Sequence, residues 1–141
     1  MDKEAERLGI TIVETQPWDA TKIDSELIEY ADKVLVDAPC LGLGTVRRKP
    51  EIKYKEFDAD VNTLPAKQLD ILKAASTYVK PGGTLVYSTC SISTLENQKV
   101  VNDFLRKNKN FEKVEMIQLL PNINGTDGFF ICKMKRKRNL I

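Results

Sequence analysis

The chain has 141 residues, no histidine and a net charge of +2. That length suffices for one domain with its own core. No apolar run approaches the roughly 20 residues of a membrane span, and the charged start Met1 to Arg7 lacks the apolar stretch of a secretory signal, so a cytoplasmic location is expected.

Ile10 to Val13 is a β-branched run that reads as a strand, and Trp18-Asp19-Ala20-Thr21 as a turn. Lys33-Val34-Leu35-Val36-Asp37 is a compact apolar run ending on an acid, the pattern of a buried strand leading into the loop Ala38-Pro39-Cys40. From Leu41 to about Asn62 no period is sustained. A structureless stretch of that length in a small domain is usually functional. Val61, Leu64, Ile71, Leu72, Ala75, Tyr78 and Val79 follow a helical spacing, with Pro65 suited to a first turn. Lys80-Pro81-Gly82-Gly83 should end that helix. Thr84 to Thr89 reads as the next strand, with Cys90 at its end. Ser93-Thr94-Leu95-Glu96 matches a capping box, so a second helix is expected from there, burying Val100, Val101, Phe104 and Leu105. Phe111 to Ile117 and Phe129 to Met134 read as strands around the turn Asn124 to Gly128. The order β, βα, βα, β-turn-β predicts an α/β fold: a mostly parallel sheet, an antiparallel last strand, and helices on the faces.

Without histidine, Ser-His and Cys-His catalysis are excluded, and chemistry falls to thiols, carboxylates and lysines. The three cysteines, Cys40, Cys90 and Cys132, form no CxxC pair, which argues against a metal site and for reduced thiols. Ligands of open α/β sheets bind outside the carboxyl ends of the strands. Asp37 with Cys40 closes one strand and Cys90 the next. If the two strands are neighbours, about 4.8 Å apart, both thiols and the carboxylate face one pocket. A helix starting near Ser93 would favour a thiolate at Cys90. Either cysteine alone is as well explained as a small buried apolar residue; the matched positions favour chemistry. Cys132, inside the last strand, reads as core. Two basic clusters, Arg47-Arg48-Lys49 and Lys133 to Arg138, can neutralise phosphates; the second reads as a solvated tail.

Asp37-Ala38-Pro39-Cys40-Leu41-Gly42-Leu43-Gly44 with Arg47 to Ile52, and Lys80 to Ser91 with Glu96-Asn97, resemble the fourth and sixth motifs of the Sun/Nop-type (RsmB-like) RNA cytosine-5 methyltransferases. Asp127-Gly128-Phe129-Phe130 resembles their closing strand. Leu41 departs from the Ser usual there. The resemblance spans about residues 5 to 135. It implies the C-terminal part of a Rossmann-like methyltransferase domain over residues 1–135, lacking the glycine-rich cofactor loop and the first two strands, with a basic tail at 136–141. It implies S-adenosylmethionine as cofactor and ribosomal RNA as substrate. Cys90 matches the nucleophile that adds to C6 of cytosine, Cys40 the thiol that assists product release, and Asp37 the acid at the base and beside the cofactor. Asp19 and Pro39 fall on the cofactor side, Asp19 alternatively capping its turn. Arg47, Arg48 and Lys49 are expected at the RNA backbone. The target base must leave its stack to reach such a pocket. The expected partner beside RNA is the missing N-terminal half, without which the first strand shows an unpaired edge and activity is not expected. The alternative is a non-catalytic RNA-binding module descended from such an enzyme.

Overall fold

A computed structural model describes residues 1–46, 48 and 58–138, the side chains of 58–62 excepted. Arg47, Lys49 and the end of the basic tail therefore lie outside the described residues. Four strands form one sheet: β1 (Ala31–Asp37), β2 (Val79–Thr89), β3 (Phe111–Leu119) and β4 (Phe129–Arg136). Their spatial order is β1-β2-β4-β3. The β1–β2 pair is parallel and β4 is antiparallel to both of its neighbours, so β4 alone is reversed. This is the mixed, mostly parallel sheet expected of the α/β pattern.

Two long helices cover the sheet, α2 (Asp58–Ser76) and α3 (Gln98–Lys107). Leu85, Tyr87, Phe130, Cys132 and Met134, alternate residues of β2 and β4, are fully buried beneath Leu72, Val101 and Phe104. Each such side chain removed from water contributes about 1.5–3 kcal/mol before chain entropy is counted. Tyr87 meets Phe130 edge to face at 6.2 Å, and Phe104 meets Phe111 at 5.4 Å. The intervening residues face the other way: Leu35, Ile117 and Ile131 are exposed. Among the described residues, the outer edge of β1 pairs with no strand.

Several expected elements differ. Ile10–Val13 is not a strand; with no neighbour to share its hydrogen bonds, β-branching alone does not make one, and Ile12 is 91% exposed. A short helix, α1 (Asp2–Arg7), precedes it and buries nothing. Helix α2 starts earlier than its apolar pattern, so Pro65 lies inside it. It also stops at Ser76, before Lys80-Pro81-Gly82-Gly83. That segment belongs to β2, where the register against β1 shifts between Ala31 and Lys33, with Gly82 at φ +80°. Helix α3 begins at Gln98 rather than near Ser93. Arg136 is part of β4, not of a free tail: it donates to the Val79 carbonyl (2.5 Å) and pairs with Glu29 (2.7 Å).

Candidate active site

Parallel pairing carries the ends of β1 and β2 out together. Asp37 lies opposite Ser88, and the Ala38 amide still donates to the Ser88 carbonyl at 3.0 Å. Beyond that point the chains turn toward each other, and Cys40 Sγ and Cys90 Sγ come within 2.9 Å. Both thiols are free and half-buried. The pairing of two thiols at adjacent strand ends is thus what the sequence led one to expect.

Glycine sets this approach. After Cys40 the chain turns through Gly42, whose φ of 73° suits glycine, into a short 3-10 turn, Leu43–Thr45. The Gly44 amide donates to the Cys90 carbonyl (2.9 Å), and the Gly128 amide to the Gly44 carbonyl (2.7 Å). A side chain on Gly44 would collide with the Gly128 backbone. The segment before β4 therefore presses the Cys40 loop onto the end of β2. Arg48, exposed at the end of this loop, pairs with Asp127 at 3.0 Å.

A buried polar network lies beneath the two thiols. Glu96, 1% exposed, accepts from the Leu41 amide (2.9 Å), the Gln68 side-chain amide (3.2 Å) and the Ser91 hydroxyl. Gln68 also donates to the Pro39 carbonyl at 2.8 Å. Tyr87 donates to the Glu96 carbonyl (2.6 Å), and Thr89 to the Asn97 side chain (2.5 Å). Asn97 in turn donates to the Ser91 carbonyl and to Gln118. These bonds explain the late start of α3: the Glu96 carboxylate, which a capping box would return to the Ser93 amide, is spent on Leu41, Gln68 and Ser91. The Ser93 amide donates to Ser91 Oγ instead. Cys90 is therefore held by hydrogen bonds to its neighbours, and the nearest long helix begins eight residues on. The helix-terminus argument for Cys90 does not carry over to this geometry.

The Cys40 thiol is pushed up to about 12 from 9.0, first by burial, then by its hydrogen bond with Cys90 and by the charge there. Either sulfur can donate across the short contact.

Asp37 is the last residue of β1. It is exposed and lines an open cleft of about 320 Å³ with Trp18, Ala20, Val34, Leu35 and Tyr78. Neither Cys40 nor Cys90 lines that cleft. Asp19 accepts from the amide (3.0 Å) and hydroxyl (2.7 Å) of Thr21, and these bonds hold its carboxyl below the usual range. It is built into its turn, beside Trp18. Pro39 contributes its carbonyl to Gln68 rather than leaving it free. Cys132 is core, as expected.

Sequence reasoning assigned no role to Gln68, and read Glu96 as a helix cap and, with Asn97, as part of the sixth-motif resemblance without a site role. The available signal was polarity out of place: Gln68 falls on the apolar stripe of α2, between Leu64 and Ile71. Among the described residues no cluster of metal-binding side chains occurs, and no helix is long and apolar enough to cross a membrane.

A family model described as 16S rRNA methyltransferase RsmB/F matches residues 1–135. The probable ribosomal RNA small subunit methyltransferase B of Bacillus subtilis is 42% identical over 151 residues, covering 94% of this chain and 34% of the relative. Its namesake from Synechocystis is 34% identical, covering 93% of this chain and 33% of the relative. The crystal structure of NSun6 from Pyrococcus horikoshii superposes with a TM-score of 0.83 at 29% identity, over 99% of this chain and 38% of that one. The chain thus spans about a third of the length of these relatives.

Proposed function

The chain belongs to the RsmB/F family of 16S rRNA methyltransferases, and from that premise we propose that it carries the reacting thiols of an enzyme that methylates C5 of cytosine in ribosomal RNA. The observation that supports this reading is the 2.9 Å approach of Cys40 and Cys90 at the ends of the paired strands β1 and β2. The remainder of the domain, in this reading, joins at the open edge of β1.

In the proposed reaction the Cys90 sulfur attacks C6 of a cytosine turned out of its stack, forming the C6–S bond and moving electron density to C5. Asp37 assists by holding a proton at N3 of the base. S-adenosylmethionine, when bound, supplies the electrophilic methyl group for C5. Release then requires that C5 lose its proton to solvent water, the C5–H electrons forming the C5=C6 double bond, and that the C6–S bond break, its electrons returning to sulfur. Cys40 delivers its S–H proton to the departing Cys90 sulfur across the short contact. The 2.9 Å contact puts Cys40 within reach to act as general acid on that sulfur.

The cleft beside Asp37 suits the adenosyl part of the cofactor. Trp18 and Tyr78 offer aromatic surface, Val34 and Leu35 apolar walls, and Asp37 an acceptor. Asp19, Asp37 and Pro39 are assigned to the cofactor side, and Arg47, Arg48 and Lys49 to the RNA backbone.

The test is a trap. Fluorine at C5 cannot leave as a proton, so RNA containing 5-fluorocytosine should stop at the adduct. The chain, joined to the remaining segment carried by its longer relatives, is incubated with this RNA and S-adenosylmethionine, and the adduct is mapped by peptide mass. An adduct on Cys90, lost in Cys90→Ala, is expected. An adduct on Cys40 reverses the roles, and bound RNA without any adduct identifies a binding module.

A further inference from the structure

Both thiol-bearing loops lean on one buried side chain to which the reaction assigns no task. Glu96 Oε1 accepts the amide of Leu41, the residue after Cys40, while Oε2 accepts the hydroxyl of Ser91, the residue after Cys90. Gln68 bonds both to Glu96 and to the carbonyl of Pro39, the residue before Cys40. We propose that Glu96, seconded by Gln68, is the positioning residue that sets the Cys40–Cys90 spacing. This deepens the reading above and rests on it for its purpose, though not for its test.

The energetics favour a dedicated role. A carboxylate taken out of water is costly unless its oxygens are satisfied, and Glu96 has no ion-pair partner among the described residues. Three donors from three separate segments satisfy it instead. An apolar residue of similar size would fill the space but strand the Leu41 amide, the Gln68 amide and the Ser91 hydroxyl, each buried donor losing its acceptor. Packing alone would not select a carboxylate here. Its two oxygens do what a single acceptor cannot: they tie the two loops to each other through one rigid planar group. Proton delivery between sulfurs depends on that tie, because a misplacement of about 1 Å at a reacting pair is enough to cost on the order of a hundredfold in rate.

The test reads thiol spacing directly and needs neither RNA nor methyl transfer, so it can fail while the cytosine chemistry stands, and the reverse. The chain is treated with diamide, which takes two electrons and two protons from a pair of thiols and leaves a disulfide. The rate of Cys40–Cys90 cross-linking is followed by peptide mass in wild type, Glu96→Ala, Glu96→Gln and Gln68→Met. Alkylation of Cys132, fully buried in the core, reports global unfolding in the same samples. Glu96→Ala is expected to slow cross-linking about tenfold, the equivalent of one or two lost buried hydrogen bonds, with Cys132 still protected. Glu96→Gln keeps an acceptor for Leu41 and Gln68 and offers a donor to Ser91, so it should stay within about threefold of wild type. An unchanged or faster rate in Glu96→Ala overturns the proposal. So does slowing that comes only with exposure of Cys132 and is equal in Glu96→Gln, the mark of a merely structural residue. Should Glu96→Ala not fold, Gln68→Met decides: slowed cross-linking with Cys132 protected supports the tie, and a wild-type rate refutes it.

Discussion

Replacing Gly44 by alanine should lift the Cys40 loop from the end of β2. The added Cβ would lie 2.6 Å from the carbonyl carbon and 2.7 Å from Cα of Gly128, and closer still to its oxygen. Ordinary carbon contacts start at about 3.5 Å, so the two segments must part by roughly 0.8 Å or more. The Gly44–Cys90 and Gly128–Gly44 hydrogen bonds, now 2.9 and 2.7 Å, would then reach or pass the outer limit of about 3.5 Å. Each buried bond lost costs about 1–2 kcal/mol, giving about 2–4 kcal/mol together. In a domain of this size that corresponds to a fall in Tm of about 10 °C. Urea unfolding by circular dichroism should show a lower midpoint at unchanged slope, and diamide cross-linking of Cys40 to Cys90 should slow. A Tm within about 2 °C of wild type, with unaltered cross-linking, would refute the claim that this backbone contact holds the site together.

Three further outcomes are expected. Leu72→Ala, at a fully buried position under the sheet, should cost about 3–4 kcal/mol in urea unfolding. Burial pushes the Cys132 thiol up to about 11 from 9.0. The folded state then keeps a proton that the unfolded state releases, so stability is intact below pH 9 and declines from there to about pH 11; Cys132→Val should flatten that decline in unfolding titrations. Arg48→Ala removes an exposed ion pair and should change stability by no more than about 1 kcal/mol. In the completed enzyme the same change should weaken RNA binding uniformly across sequences and lower the salt slope by about one unit.

The sheet was legible because its strands are half-buried and alternate. Leu85, Tyr87 and Thr89 face the helices while Val86 and Ser88 do not, and a period of two survives any change in neighbours. The thiol pair was legible for a related reason: two strand ends, each closing on a cysteine, become adjacent once the strands are parallel. What escaped were features decided by partners distant in sequence. Ile10–Val13 has strand composition but no strand beside it. Ser93 to Glu96 has the letters of a capping box, yet Glu96 finds better donors in Leu41 and Gln68, far off in the chain. Lys80-Pro81-Gly82-Gly83 reads as a helix stop, and the register shift that absorbs it into β2 depends on β1. Asp37 was placed beside the thiols by its position in the strand. In the structure it lines the cleft with Trp18, and neither cysteine lines that cleft.

The claim on which the account turns is a division of labour, with Cys90 bonding to the base and Cys40 releasing it. The direct measurement is the lifetime of the protein–RNA adduct on unmodified cytosine, in the completed enzyme, for Cys40→Ala against wild type. A long-lived, denaturation-resistant adduct on Cys90 in Cys40→Ala, and none in Cys90→Ala, is predicted. Normal turnover in Cys40→Ala without accumulated adduct would contradict it.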